Sequence, residues 1–321
     1  MQLRTLGKTG KQVSELGFGA WAIGGNAYGP TEDENSLKAL SFAFDQGINF
    51  FDTADIYGNG RSEKLIGETF RESSKRLQIF LATKVGWDFY HGATERNFSP
   101  DYIRFACGES LKRLKTDYLD LYQLHNPKLD QIKDGKIFDT LKSLKKEGKI
   151  LHYGTSIHTM EEGKAVVQNG KSESIQVVFN LIEQRPVDEL FPLADQQKIG
   201  IIAREPLACG LLTGKYTQES KFHKMDHRNG WSHDKLERDF EKVDQICNAF
   251  NSKRGLLKQA AIEFVLSFES VSVVIPGVKT VQQVKDHLNA VENPVLTEKE
   301  ILEIRELYKQ EAIFQTGHYR N

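Results

Sequence analysis

Four side chains that can carry a charge or a proton follow three short apolar segments of the sequence. Asp52 ends the first apolar segment, within NFFDTADIYGNGRSEKLIG, and Tyr57 follows it in a glycine-rich stretch. Lys84 ends a second segment in LATKVG, and His125 ends a third in LYQLHNP. Side chains just beyond the C-terminal ends of parallel barrel strands meet on one face, so we expect these four groups to converge.

The chemistry that this set fits is proton donation by a phenol. A free tyrosine has a pKa of about 10, so Tyr57 needs help to give and retake a proton near neutral pH. A buried ammonium nearby favours the phenolate and lowers that pKa, and Lys84 can be this cation. Asp52 would keep Lys84 charged in a dry site, and His125 would hydrogen-bond a substrate carbonyl oxygen. Taken singly, the four residues also fit ordinary structural roles: a turn residue, a packing ring, a surface cation and a core histidine.

Eight short apolar runs alternate with amphipathic helical stretches and would position these groups. Most runs are continuously apolar, as strands buried on both faces must be. Eight strand–helix units favour an α/β fold of the closed (β/α)8 (TIM) barrel type, and the early glycines do not fit the GxGxxG fingerprint of an open dinucleotide-binding sheet. The predicted strands are residues 15–19, 48–53, 79–84, 118–125, 151–156, 175–181, 200–204 and 271–276.

Two segments lie outside this repeating pattern. Residues 8–10, Lys-Thr-Gly, predict the turn of a β-hairpin ahead of the first barrel strand. The polar residues 217–254 predict a long, partly helical loop after the seventh strand. No domain boundary stands out, so we expect one barrel domain over residues 1–321.

Two helix starts carry the spacing of a capping box, in which a Thr side chain and a Glu three residues later cap each other's backbone amides. Thr31 with Glu34 predicts one helix start, and Thr297 with Glu300 predicts that of the last helix. Both precede apolar residues at helical spacing.

Composition narrows the class of protein. Lys and Arg number 43 against 44 Asp and Glu, so no net field favours nucleic acid or an anionic membrane. Three well-separated cysteines without a CxxC pair fit a reducing compartment without structural zinc or disulfides. The start has no apolar leader, and no apolar run approaches about 18 residues. We therefore expect a cytoplasmic protein without a membrane span or a metal.

Four motifs resemble those of the aldo-keto reductases in order and spacing: DTADIYGNGRSEKLIG, ATKVG, LDLYQLHNP and YGTSIH. The likeness extends from LGKTGKQVSELGFGAW near the start to IPGVKTVQQV near the end, and it points to bacterial members related to potassium-channel β-subunit-like proteins. It implies a (β/α)8 barrel that reduces aldehydes or ketones with NADPH. Under this resemblance Tyr57 is the general acid, Lys84 and Asp52 lower its pKa, and His125 orients the substrate.

The resemblance also implies residues that hold the nicotinamide of NADP(H). Ser156 and Gln176 match positions that bind the carboxamide, although the Asn that commonly follows the Ser is Ile157 here. Arg204 stands where the family commonly stacks an aromatic ring on the nicotinamide. A planar guanidinium can stack as well, and we favour that cofactor contact; the alternatives are that Arg204 pairs with Glu205 or reaches a phosphate.

Two further segments match the phosphate-binding parts of the family, one strapping the pyrophosphate and one receiving the 2′-phosphate. Backbone amides and a helix N-terminus receive an anion well. Gln283 and His287 stand where Arg and Asn are common, so one cation, Lys279, remains at the 2′-phosphate site; NADP is still favoured. The implied residues are Pro206, Leu207, Gly210, Leu211, Thr213, Gly214 and Lys215, followed by Gly277, Lys279, Gln283 and His287.

Three aromatic residues are expected to line the site of a small carbonyl substrate at the mouth of the barrel: Trp21, Trp87 and Phe89. The alternative is that they only fill the top of the barrel by packing. Substrate specificity in such a fold lies in variable loops, here residues 87–97 and 217–254.

Two other functions stay open. A slow-turnover redox sensor or regulatory subunit of the same family would retain all four reactive residues. A metal-dependent barrel hydrolase would use strand-end ligands, but the sequence lacks an HxH pair, and Lys84 would repel the ion. The ligands of such a hydrolase would be Asp52, Asp55, His125, His158 and Glu205.

Overall fold

The computed structural model describes residues 1–92, 94–249 and 254–315. Part of each variable loop, Ala93 and residues 250–253, therefore lies outside the described residues. Eight parallel strands form one sheet in which strands that follow one another along the chain are neighbours. They are β1 (Phe18–Gly19), β2 (Phe50–Asp52), β3 (Phe80–Val85), β4 (Leu119–His125), β5 (Ile150–Ser156), β6 (Ser174–Val178), β7 (Gly200–Arg204) and β8 (Val271–Ile275).

The sheet closes between its first and last strands. Val274 N donates to the Glu15 carbonyl at 2.8 Å, Gly17 N donates to the Val274 carbonyl at 2.8 Å, and Gly19 N donates to the Pro276 carbonyl at 3.0 Å. Together with the eight parallel strands, these bonds make the sheet a (β/α)8 barrel, as the sequence predicts.

Helices surround the barrel, and a short hairpin precedes it. The hairpin pairs Leu3–Thr5 antiparallel with Gln12–Ser14 across a 3₁₀ turn at Gly7–Thr9, which confirms the predicted turn. None of the helices in the described ranges is long and apolar enough to cross a membrane. The helices are α1 (Asp33–Asp45), α2 (Arg61–Thr69), α3 (Ser73–Arg76), α4 (Pro100–Leu114), α5 (Leu129–Asp134), α6 (Ile137–Lys146), α7 (Met160–Asn169), α8 (Arg185–Glu189), α9 (Phe191–Gln196), α10 (His233–Ala249), α11 (Leu257–Leu266), α12 (Val281–Glu292), α13 (Glu298–Gln310) and α14 (Ala312–Gln315).

Strand alternation decides which side chains point into the barrel. Phe50, Phe80, Leu121 and Ile202 belong to one buried cluster inside the barrel, whereas their chain neighbours pack in a second cluster under the helices. Since successive side chains of a strand point to opposite faces, the residue two positions after each of these also points inward. The inward residues at the C-terminal ends are therefore Asp52 in β2, Ala82 and then Lys84 in β3, Gln123 and then His125 in β4, and Arg204 in β7.

One predicted capping box is wrong, and one is confirmed. α1 begins at Asp33 and has no side-chain cap, because the Thr31 hydroxyl contacts Ser36 Oγ at 3.4 Å and not a helix amide. α13 begins after Thr297, whose Oγ1 accepts from Glu300 N at 3.2 Å, and the Glu300 carboxylate accepts from Thr297 N at 2.8 Å.

The segment after β7 is partly helical, as expected. It contains a 3₁₀ turn at Ala208–Thr213, a second at His227–Gly230, and then α10. The predicted sixth strand is shorter than residues 175–181 and ends at Val178, because a turn that pairs Asn180 with Glu183 follows it.

Candidate active site

A buried ammonium occupies the C-terminal mouth of the barrel. Lys84 Nζ donates to Asp52 Oδ2 at 2.6 Å, to the Thr53 carbonyl at 2.8 Å and to the Tyr57 hydroxyl at 3.2 Å. The Lys84 side chain is 0% exposed and that of Asp52 is 3% exposed. All three hydrogen-bond acceptors lie at the C-terminal end of β2 or in the residues after it. A single strand and its following loop therefore surround the ammonium.

Two glutamines complete the surroundings of Asp52. Its Oδ1 accepts from Gln176 Nε2 at 2.8 Å and from Gln123 Nε2 at 3.1 Å. Gln176, predicted as a nicotinamide contact, is thus bonded to the carboxylate of the reactive set. Gln123 was not predicted; its inward register two residues before His125 is the signal that points to it.

The protonation states of this cluster follow from burial and pairing. Burial acts to lower the pKa of Lys84, but attraction to Asp52 and Tyr57 outweighs it and the net pKa is raised. Burial raises the pKa of Tyr57, and the opposing effect of Lys84 does not cancel it. Lys84 is therefore an ammonium, and Tyr57 is a neutral phenol. The predicted lowering of the Tyr57 pKa by Lys84 acts in the expected direction but is smaller than the effect of burial.

Aromatic rings flank Tyr57 on two sides. The His125 ring lies edge-on at 6.0 Å between ring centroids, and the Trp21 ring lies at 6.0 Å with 30° between planes. Trp87 and Phe89 lie in and beside a small hairpin after β3, where Arg96 covers the Trp87 ring and Phe89 stacks on Tyr90 at 4.2 Å. Of the three predicted wall residues, Trp21 is the one in ring contact with Tyr57.

The ends of β4, β5 and β7 meet beside this cluster. Ser156 Oγ donates to Asn126 Oδ1 at 3.0 Å, and Asn126, which follows His125, adopts a left-handed conformation. Arg204 donates to the Ile157 carbonyl at 2.8 Å and to Glu205 at 2.7 Å. The pairing with Glu205 is the alternative that the sequence left open; stacking on a nicotinamide remains a prediction.

The segment predicted to strap a pyrophosphate is folded by left-handed backbone. Glu205, Ala208, Cys209, Gly210 and Gly214 have φ between 49° and 97°. Such conformations turn successive amides toward one side, which favours anion binding. Within the predicted set, Pro206 and Leu211 are buried, Leu207, Gly210 and Thr213 are half-buried, and Gly214 and Lys215 are exposed.

Lys279, after β8, is bound to another loop. Its Nζ donates to the carbonyls of Tyr28, Gly29 and Pro30. Burial lowers the pKa of Lys279; attraction to Asp226 opposes this effect, and the nearby cations Arg228 and Lys215 add to it. Three cations, of which Arg228 is paired with Asp226, therefore lie near this end of the barrel, and a bound anion would be favoured beside the other two.

The rest of the predicted 2′-phosphate site frames the start of α12. Gly277 is exposed, and the space where its Cβ would stand is open. Gln283 accepts from the Lys279 amide at 2.7 Å. His287 is buried, and burial lowers its pKa to about 4. The His287 ring is therefore neutral at physiological pH.

The long loop after β7 supplies site residues that the sequence did not single out. His227 packs its ring on Trp21 at 4.9 Å and on Tyr28 at 4.8 Å. Its amide donates to the Ala27 carbonyl at 2.8 Å. The loops after β1 and β7 are thus joined beside Tyr57, and no local sequence pattern marks that contact.

Over the parts of the chain that the structure describes, no three His, Cys, Asp or Glu side chains are grouped to hold a metal ion. Asp52, the first hydrolase ligand considered, accepts hydrogen bonds from Lys84 and two glutamines instead.

The chain is similar to known proteins over nearly its whole length. Residues 15–309 match the model of the aldo/keto reductase family. An uncharacterized oxidoreductase of Bacillus subtilis, YqkF, is 33% identical over 314 residues, which cover 97% of this chain and 98% of that protein. An aldo-keto reductase of Schizosaccharomyces pombe with NADP(+) in its name is 31% identical, covering 92% of this chain and 88% of that one.

A solved structure has the same fold. The holo form of aldo-keto reductase AKR11C1 from Bacillus halodurans aligns with a TM-score of 0.80 at 31% identity, covering 96% of each chain. Fold and sequence therefore agree on the family.

Proposed function

The chain belongs to the aldo/keto reductase family, and we propose that it reduces an aldehyde or ketone to an alcohol with NADPH as the hydride donor. The observation that carries this proposal is the buried Lys84 ammonium, which bonds the Tyr57 hydroxyl at 3.2 Å and Asp52 at 2.6 Å. Burying an ammonium is costly without such partners. An arrangement that holds a phenol against a cation suits proton transfer to an oxygen.

Each residue of the reactive cluster has a separate role in the proposed reduction. NADPH, when bound, supplies a hydride to the carbonyl carbon. Tyr57 donates its proton to the carbonyl oxygen as negative charge develops there; its raised pKa keeps it in the protonated form that reduction requires. Lys84 stabilises the phenolate that remains, and Asp52 keeps Lys84 charged. His125, on the same side of the mouth, hydrogen-bonds the carbonyl oxygen and orients it.

The chain offers groups for each part of the cofactor. Ser156 and Gln176 lie close to the reactive cluster and suit the carboxamide, and Arg204 suits the nicotinamide ring. Lys215 and Lys279 suit phosphates, because they are cations near enough for the charge of Lys215 to lower the pKa of Lys279. The name of the Schizosaccharomyces pombe relative supports NADP as the nucleotide.

The decisive experiment compares the wild type with Tyr57→Phe. We expect the wild type to oxidise NADPH with members of a panel of aldehydes and ketones, followed by absorbance. The variant should lose activity by about 10²–10⁴-fold, the range typical of general acid catalysis. Tyr153→Phe, a matched change in a half-buried tyrosine in the middle of β5, should leave the rate unchanged.

Two results would overturn the proposal. Equal activity of Tyr57→Phe and wild type, with NADPH binding intact in both, would remove Tyr57 as the acid. Oxidation of a single equivalent of NADPH without further turnover, across the whole panel, would favour the redox-sensor alternative.

A further inference from the structure

A buried ion pair lies behind the Tyr57 segment, between the barrel and the helix layer, and the chemistry above does not use it. Glu63 in α2 is 0% exposed, and Arg113 near the end of α4 is 10% exposed. Arg113 Nε donates to Glu63 Oε2 at 2.7 Å. Because desolvating two charges offsets much of their attraction, a buried pair adds little net stability. Its value lies in the geometry that it imposes.

Glu63 ties α2 to the strand that carries the reactive ammonium. Its second oxygen, Oε1, accepts from Thr83 Oγ1 at 2.6 Å. Thr83 immediately precedes Lys84 in β3, and since strand neighbours point to opposite faces, Thr83 faces the helices while Lys84 faces the barrel interior. The position of α2 is therefore transmitted to Lys84.

Arg113 fixes the segment that carries Tyr57. Gly60 ends that segment in a left-handed conformation, and a Cβ there would come 2.5 Å from Arg113 Cδ and 2.8 Å from its Nε. The arginine side chain thus lies directly on the backbone three residues after Tyr57. Without this contact the segment would have room to move away from Lys84.

The same guanidinium reaches the loop expected to line the substrate. Arg113 Nη1 donates to the Tyr90 hydroxyl at 2.5 Å, and Tyr90 stacks on Phe89 at 4.2 Å. Nη2 donates to Ser110 Oγ at 3.3 Å, so all three nitrogens of the guanidinium donate hydrogen bonds, each to a different residue. A lysine, with one nitrogen, cannot replace this fork.

We propose that Glu63 and Arg113 are positioning residues, which hold the Tyr57 hydroxyl against the Lys84 ammonium and tie that geometry to the loop of residues 87–97. The inference rests on the proposed function of Tyr57. Displacements of about 1 Å in a reacting group can cost about 10²-fold in rate, so a pair that sets this distance acts on the rate without contacting substrate.

The test is Arg113→Lys, which keeps the charge and removes the fork. We expect kcat to fall by about tenfold or more, with the dissociation constant of NADPH unchanged. In a Tyr57→Phe background the same substitution should have little further effect, because the group that it positions is gone. A merely structural role would lower the rate by the same factor in both backgrounds.

Arg104→Lys is the matched control, since Arg104 lies in the same helix and forms an exposed pair with Glu147. It should leave kcat unchanged. If Arg113→Lys does not fold, Thr83→Val removes one hydrogen bond to Glu63 and leaves the ion pair in place; a lowered kcat is again expected. Wild-type kcat in either folded variant overturns the inference.

A second readout does not depend on turnover. The pKa of Tyr57 can be measured as the difference between ultraviolet titrations of proteins with and without Tyr57. Arg113→Lys should change this pKa, because it changes the distance to Lys84 and the exclusion of water; an unchanged pKa contradicts the inference. An inactive wild type with a shifted Tyr57 pKa would count against the proposed reaction and not against the positioning role.

Discussion

Asp55 lies two residues before Tyr57, is fully buried and takes no part in the proposed reaction. Burial raises its pKa well above the usual value, and the nearby Glu63 raises it further. The two cations that oppose this effect, Lys84 and Arg113, already pair with Asp52 and Glu63. An ionised Asp55 would be a fifth charge without a counterpart, so the carboxyl stays protonated.

Asp55→Asn should therefore alter how stability depends on pH. A carboxyl whose pKa is raised on folding stabilises the protein below its unfolded pKa of about 4, and that contribution is lost as pH rises toward the folded pKa. The amide does not titrate and keeps the acceptor for the Ile56 amide. Relative to wild type, the variant should gain up to about 1.4 kcal/mol for each pH unit between the unfolded pKa and the folded pKa.

Urea unfolding of both proteins between pH 4 and pH 8 measures this difference. Subtracting the two free energies of unfolding removes every other titrating group. A difference that does not change with pH would show that Asp55 is ionised in the folded protein.

Elements are joined at the mouth by a second buried pair. Arg228 binds Asp226 through two nitrogens, at 2.9 and 2.6 Å, and its third donates to the Cys209 carbonyl at 2.8 Å. Its guanidinium also covers the rings of Tyr28 and Phe222. One side chain thus connects the loop after β1, the predicted phosphate strap and the 3₁₀ turn before α10.

Arg228→Met should destabilise the protein by about 3–5 kcal/mol, because it leaves Asp226 buried and unpaired. It should also raise the dissociation constant of NADPH, because the segment predicted to bind the pyrophosphate loses the hydrogen bond from Arg228 to its Cys209 carbonyl. Removing both charges with Asp226→Asn in the same chain should recover part of the stability. Fluorescence titration and urea unfolding measure the two effects.

The contrast is Arg104→Met, which breaks an ion pair whose side chains are 40% and 36% exposed. Exposed pairs contribute about 0–1 kcal/mol, so this variant should be nearly as stable as wild type. Equal stabilities of the Arg228 and Arg104 variants would mean that the pair with Asp226 does not hold the strap.

The whole molecule depends on closing the barrel at its shortest strand. β1 has two residues in regular pairing, and its junction with β8 is made by single bridges at Leu16 and Gly19. A Cβ on Gly19 would stand 2.7 Å from the Pro276 carbonyl oxygen and 2.8 Å from that of Ile275. These are backbone atoms, so the junction cannot accommodate a side chain without moving.

Gly19→Ala should lower the free energy of unfolding by about 1–3 kcal/mol, the usual cost of overpacking. Gly108→Ala is the opposite case: the added methyl in α4 meets no atom within 4 Å. It should raise stability by about 0.5–1 kcal/mol, since alanine is the better helix former. Denaturant unfolding of both variants tests this, and a Gly19→Ala protein as stable as wild type would mean that strand closure tolerates a methyl.

The sequence by itself determined the number of strands, their order and the reactive side chains near the ends of three of them. Continuous apolar runs reveal buried strands, and the alternation of faces then sends Asp52 and Lys84 into the same barrel mouth. The hairpin and the α13 start were also predictable, because a turn and a capping box are local. The Thr31 cap was wrong, since its local pattern competes with a contact to Ser36.

Only the tertiary structure decided what surrounds those residues. Gln123 and Gln176 meet on Asp52 from two other strands, and Arg113 reaches Glu63 across 50 positions of the chain. Burial itself is also a tertiary property, and it reverses the expected net shift of the Tyr57 pKa. The reason is physical: residue type and spacing set which groups reach the mouth, whereas desolvation and pairing depend on every element that packs there.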